Sequence, residues 1–161
     1  MNVFLSYAIG PNDGPIPARL RAVAAAYNIS ILLPDRTYIH QGSLSADTMA
    51  KIMQSDAVIA LVTTTARPEA WNLVNSELRQ AAVFNKPVIL LMESGMQLQA
   101  APGTHLVYFD RLNPTAHESS LMSALEEIRR EKWKQDLTAL GWIAGIALGL
   151  IALSQLFSED K

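Results

Sequence analysis

The sequence contains no cysteine, so disulfides and thiolate metal sites are excluded. Histidine is scarce: His40, His105 and His117 are scattered along the chain, which argues against a dedicated metal site. No long basic run occurs and the net charge is −2, so the electrostatic footprint of a nucleic-acid binder is missing. Two phosphate-cradling signatures are also missing, the GxxxxGK[ST] loop and the GxGxxG fingerprint. The first residues, Met-Asn-Val-Phe-Leu-Ser-Tyr, have no basic segment followed by a long apolar core. They are expected to form a strand rather than a signal peptide. No internal repeat or low-complexity stretch interrupts the chain. At 161 residues there is room for one domain with a proper core, plus an appendage.

Hydrophobicity, by contrast, is abundant. Half the residues are hydrophobic and the mean hydropathy is +0.15, high for a wholly soluble domain. The excess lies in Thr138–Phe157, twenty residues without a charge. As a helix this run would span roughly 30 Å, about the thickness of a bilayer's hydrocarbon layer. A buried core helix is the alternative, but such helices usually keep one polar face. Arg129, Arg130, Lys132 and Lys134 precede the run and only Ser158–Lys161 follow it. This places the large N-terminal part in the cytoplasm, with a single pass through the cell (inner) membrane. The expected organisation is a domain over 1–130, a basic juxtamembrane segment over 131–137, the span over 138–157 and a tail over 158–161. Trp133 and Trp142 suit interfacial anchors. Gly141, Gly145 and Gly149 share one helix face and would permit self-association there, although glycine is common in membrane helices generally.

Within the first 130 residues, strand and helix patterns alternate. Asn2–Tyr7, Ile29–Leu33, Ala57–Thr63, Val88–Met92 and Leu106–Phe109 are apolar runs bounded by turn residues. Between them lie helical patterns. Ala18–Tyr27 carries Leu20, Val23, Ala24 and Tyr27 at helical spacing. A short helix capped by Ser45 or Asp47 runs to Gln54 and should turn Met49, Ile52 and Met53 inward. A third helix begins at Pro68, shows Trp71, Val74, Leu78 and Ala81/Ala82 on one stripe, and stops at Asn85-Lys86-Pro87. A last one starts at Ser119 or Ser120 and continues through Leu121, Leu125 and Ile128. The alternation predicts an α/β fold with a parallel five-stranded sheet in flavodoxin-like order. Ligands in such folds sit beyond the C-terminal strand ends.

Those ends deliver Ser6–Asp13, Asp35–Ser43, Thr63–Trp71 and Glu93–Gly103. Ser6 has no histidine near it in sequence and reads as structural rather than nucleophilic. Asp13 and Asp35 could form an acidic pair, or simply be turn formers. Glu77 stands out. It lies at the edge of the apolar stripe of the third helix, with Leu73 and Ala81 on its own face. A carboxylate held half against apolar surface is a functional candidate; the alternative is an exposed glutamate paired with Arg79 or Lys86.

The wording of the segments adds to this. FLSYA followed by Asp13 resembles the first-strand signature of TIR (Toll/interleukin-1 receptor) domains. QGSLSADTMAKIMQSDAVIALVT resembles the family's BB loop, with Gly42 at its usual glycine, running into the next helix and strand. EAWNLVNSELRQAAVFNKPVIL resembles the segment carrying the glutamate of bacterial TIR enzymes, especially the VNxE wording of Thoeris-type antiphage proteins. The resemblance covers roughly residues 1 to 130. It implies a TIR fold and cleavage of the nicotinamide–ribose bond of NAD as substrate, with no resident cofactor and no metal. Glu77 would be catalytic. Tyr7, Ala8, Asp13, Gly42, Ser43 and Trp71 would line the substrate site, Trp71 having a core role as its alternative. The BB-loop region around Tyr38–Leu44 would contact a neighbouring copy and complete the site. One departure is that Trp71 precedes Glu77 by six residues, where many TIR enzymes have a tryptophan four residues before the glutamate. Nucleoside deoxyribosyltransferases share the fold type and a glutamate on a comparable helix. Two functional classes follow: a membrane-anchored NAD-consuming enzyme of antiphage defence, activated by assembly, or a non-catalytic TIR adaptor whose assembly clusters membrane helices.

Overall fold

The computed structural model of the chain describes residues 1–36, 44–96, 104–111 and 118–135, with side chains described to residue 130. The elements are β1 (Asn2–Ala8), α1 (Pro15–Ala26), β2 (Ser30–Leu32), α2 (Ala46–Gln54), β3 (Ala57–Val62), α3 (Pro68–Val83), β4 (Val88–Glu93), β5 (His105–Phe109) and α4 (Glu118–Gln135). The strands form one parallel sheet of five in the order β2-β1-β3-β4-β5. That is the flavodoxin-like order expected from the alternation.

The sheet is buried on both faces, and period two decides which side chain goes where. Val3 and Leu5 of β1, Ile59 and Leu61 of β3, and Leu91 of β4 face α1 and α4, where Leu20, Ala24, Leu121, Leu125 and Ile128 meet them. Phe4 and Ala8, Val58 and Val62, and Leu90 and Met92 face the other way, onto Ile52 of α2 and Trp71, Val74, Leu78 and Ala81 of α3. Each buried Val, Leu or Ile contributes about 1.5–3 kcal/mol relative to exposure. A strand with no exposed side has no polar positions to spare, and β3 reads AVIALV for that reason.

Local signals placed several boundaries. Pro68 opens α3. Asn85 closes it at φ 52°, a left-handed conformation that Asn tolerates, with Lys86 N–H returning to the Ala81 carbonyl over 2.9 Å. Ser45 caps α2 by accepting the Thr48 N–H at 3.1 Å, which settles the choice between Ser45 and Asp47.

Other expectations need correction. α1 begins at Pro15, three residues before the expected Ala18, because both Pro15 and Pro17 fall in the first turn, where no N–H is required. The helix ends at Ala26, one residue before the expected Tyr27, which caps it and is half exposed. Met49 and Met53 are exposed while Ile52 is fully buried: a helix of nine residues covers the sheet with a narrow stripe only. β4 includes Glu93, which was expected in the following loop. α4 starts at Glu118 and runs on to Gln135, past Ile128, the last residue of its expected apolar pattern.

Among the described residues no helix is long and apolar enough to cross a membrane. The run 138–157, with Gly141, Gly145, Gly149 and Trp142, lies outside them, as do Gly42 and Ser43 and nearly all of the Tyr38–Leu44 loop.

Candidate functional site

The burial of Glu77 is a local conflict. It sits in the stripe that also buries Trp71, Val74, Leu78 and Ala81, and it is 1% exposed. Removing a carboxylate from water costs several kcal/mol unless partners hold it. The partners come from β1 and from the loop after β2. Ser6, whose even position in β1 turns it toward α3, donates its hydroxyl to Glu77 Oε2 at 2.5 Å. Arg36 Nη2 donates to the same oxygen at 3.1 Å. The glutamate is therefore neither exposed nor paired with Arg79 or Lys86. Burial pushes its carboxyl above the ordinary range, while the Arg36 charge and the Ser6 hydrogen bond pull against that.

Arg36 reaches this place because β2 is short. β2 pairs only with Asn2–Phe4 of β1, so the outer edge of β1 from Leu5 onward continues past it. Arg36 Nη2 also donates to the Tyr7 carbonyl there, at 3.1 Å. Its guanidinium lies 4.7 Å from the centre of the Tyr7 ring, within cation–π range. Arg36 Nε is buried without a hydrogen-bond partner among the described residues.

A second cluster lies along the C-terminal ends of the strands. Asp13, 2% exposed, accepts from the Thr63 and Thr65 hydroxyls at 2.7 and 2.6 Å and from Gly10 N–H at 2.8 Å. Arg111, just past β5, donates to Asp13 Oδ1 and to Glu93 Oε1, both at 2.7 Å. Thr64 donates its N–H and hydroxyl to Glu93 Oε2. Burial opposes charge on Asp13, but the threonine hydroxyls, Gly10 and Arg111 outweigh it and hold the carboxyl below its usual range. The Arg111 hydrogen bond does the same for Glu93, against burial and with help from Thr64. This network ties the ends of β1, β3, β4 and β5 together. Gly10 completes it, for a Cβ there would stand 2.4 Å from Thr65 Oγ1.

The residues expected at the site thus divide. Tyr7 and Glu77 come together through Arg36. Ala8, at the end of β1, is fully buried in the apolar cluster under α3. Asp13 belongs to the second cluster, and among the described residues its hydrogen-bond partners, Gly10, Thr63, Thr65 and Arg111, differ from those of Glu77, which are Ser6 and Arg36. Trp71 packs with Val74 and Leu78 in the core, 7% exposed, as its helical phase suggested. Ser6, Arg36, Glu93 and Arg111 were not singled out for these roles. Only the parity of Ser6 along β1 could have signalled its direction; the others meet through space. An apolar hollow of about 60 Å³ lies on the opposite face of the sheet, lined by Ile16, Leu20, Leu91 and Phe109 among others, away from the carboxylate.

No protein-family model matches this sequence, and no curated protein matches it. Its fold does have solved counterparts. The chain is similar to Clostridium botulinum CMP N-glycosidase, BcmB, with a TM-score of 0.50 and 15% identity, over 78% of this chain and 98% of that one. At that identity the likeness establishes the α/β fold.

Proposed function

We propose that the chain is an N-glycosidase that cleaves the bond between a ribose C1′ and a base nitrogen, with Glu77 as its catalytic carboxylate and NAD as its substrate. The observation that carries this is the buried Glu77 at the C-terminal end of β1, gripped by Ser6 and Arg36. As the C1′–N bond breaks, its electron pair leaves on the base and positive charge develops on the ribose. A carboxylate fixed beside that ribose stabilises the charge without reorganising. Water then adds to C1′ and releases a proton. Ser6 holds the carboxylate in one orientation.

Two further considerations support the reading. A solved structure of similar fold is that of a CMP N-glycosidase. The FLSYA, BB-like and VNSE segments resemble TIR enzymes that act on NAD. On the same resemblance, self-assembly through the loop around Tyr38–Leu44 would raise activity. The uncharged run 138–157 would anchor the protein, and the face of Gly141, Gly145 and Gly149 would bring copies together.

The test is a substrate panel. Full-length protein in detergent or liposomes is incubated with NAD and, separately, CMP, and the freed base is quantified by chromatography. Nicotinamide release that stops in Glu77→Gln supports the proposal. Cytosine release alone would keep the reaction class and replace the substrate. Release of neither base by an assembled protein would favour the adaptor.

A further inference from the structure

We propose that Arg36 is an exchangeable cover on Glu77: its guanidinium leaves the carboxylate for a phosphate oxygen of the incoming substrate, so the site selects phosphate-bearing glycosides. This rests on the glycosidase reading and deepens it. Glu77 is closed off as it stands. Its side chain is 2% exposed and Ser6 is fully buried, whereas the Arg36 side chain is 20% exposed. Arg36 is the member of the trio that borders solvent. A ribose approaching Oε2 from outside must displace it.

The hold on Arg36 is incomplete in a way that favours exchange. Nη2 serves both acceptors, the Glu77 carboxylate and the Tyr7 carbonyl. Nε is buried and has no hydrogen-bond partner among the described residues, and an unmade hydrogen bond on a buried donor is costly. A phosphate presents oxygens at the spacing of the guanidinium fork and can satisfy Nε together with a terminal nitrogen. The flat guanidinium rests on the Tyr7 ring. It can shift over that face, where β2 no longer covers β1, without giving up the stacking contact.

Charge makes the exchange self-consistent. The closed site holds a cation against Glu77 at 3.1 Å. When the guanidinium moves to the phosphate, the carboxylate would be left buried without a positive partner, and the ribose that replaces Arg36 is the group on which positive charge develops. An uncharged nucleoside offers the guanidinium no anionic acceptor, so the cover stays on Glu77.

The experiment is titration calorimetry of the full chain in detergent with ADP-ribose, which has already lost its nicotinamide, and ribose 5-phosphate, which carries no base, beside ribose, with adenine release from ADP-ribose checked by chromatography. Wild type, Arg36→Gln, Glu77→Gln and the double variant are compared, with melting curves to confirm that each folds. The proposal expects Arg36→Gln to weaken the phosphorylated ligands by about tenfold, Glu77→Gln to tighten them by about threefold, and the double variant to match Arg36→Gln. Ribose affinity should be low and alike in all four. Arg36→Lys, which keeps the charge and loses the fork, should fall between wild type and Arg36→Gln. Equal affinities in wild type and Arg36→Gln, no tightening in Glu77→Gln, or no binding of either phosphorylated ligand would overturn it. Binding in this pattern without cleavage of any nucleotide would remove the glycosidase reading and leave the exchange standing. Cleavage without the pattern would do the reverse.

Discussion

Ser6 and Glu77, 71 residues apart, share a hydrogen bond of 2.5 Å inside the sheet–helix interface. This contact holds a buried helix glutamate in place. It fixes one carboxylate oxygen, and it joins α3 to the end of β1, where parallel α/β folds bind ligands.

Replacing Glu77 separates its two roles. Glu77→Gln keeps the shape and a hydrogen-bonding oxygen for Ser6, so the fold should survive. Base release should fall about 10²- to 10³-fold, chiefly in kcat, because the lost interaction acts on the transition state. Glu77→Ala should also cost stability, about 1–3 kcal/mol, by leaving Ser6 and Arg36 without their acceptor. Denaturant melts beside steady-state kinetics check both.

The pH dependence has a definite sign. Burial raises the Glu77 carboxyl above its ordinary value of 4.5. Its contribution to stability is then fully present below pH 4.5 and is lost as pH rises through the folded value. Glu77→Gln does not titrate. Its melting temperature relative to wild type should therefore climb as pH is raised from about 4 to 8. In activity, the acid limb should lie above pH 4.5, and Arg36→Gln should move it higher, since the guanidinium charge opposes the shift.

Asp13 and Glu93 behave in the opposite sense. Their carboxyls are held below the ordinary 3.8 and 4.5. The stability they add is present above those values and is lost as pH falls through the lowered folded ones. Asp13→Asn and Arg111→Gln should each flatten the acid limb of the stability profile, read by thermal unfolding from acid to neutral pH. Asp13→Ala should cost about 2–3 kcal/mol, because Thr63, Thr65 and the Gly10 N–H lose a common acceptor.

Gly10→Ala tests the packing of the same cluster. The new Cβ would meet the Thr65 side chain at 2.4 and 2.7 Å and its carbonyl at 2.9 Å. Backbone cannot swing aside as a side-chain tip can, so a loss of about 1–3 kcal/mol is expected. A chemical denaturation midpoint close to wild type would contradict it.

The sequence was legible where its signals are local. Pro68 and Asn85 bracket α3, Ser45 caps α2, and continuous apolar runs mark β3 and β4, because each rests on chemistry within a few residues. The strand order followed from alternation. The surroundings of Glu77 were not legible. Its expected partners, Arg79 and Lys86, were neighbours along the chain, whereas its actual cation lies 41 residues away on a loop set by the shortness of β2. Arg111 was silent for the same reason: its carboxylates come from β1 and β4 ends that only the folded sheet assembles. Met49 and Met53 show the converse error, since periodicity reports an apolar stripe without saying how much of it a short helix can cover.

The most direct measurement is NAD consumption by the full-length protein at high density in liposomes, beside Glu77→Gln under the same conditions. The account predicts nicotinamide release by the wild type and at least a hundredfold less by the variant, about 2.7 kcal/mol of transition-state stabilisation. Equal rates in the two, or no release of nicotinamide by an assembled and folded wild type, would contradict it.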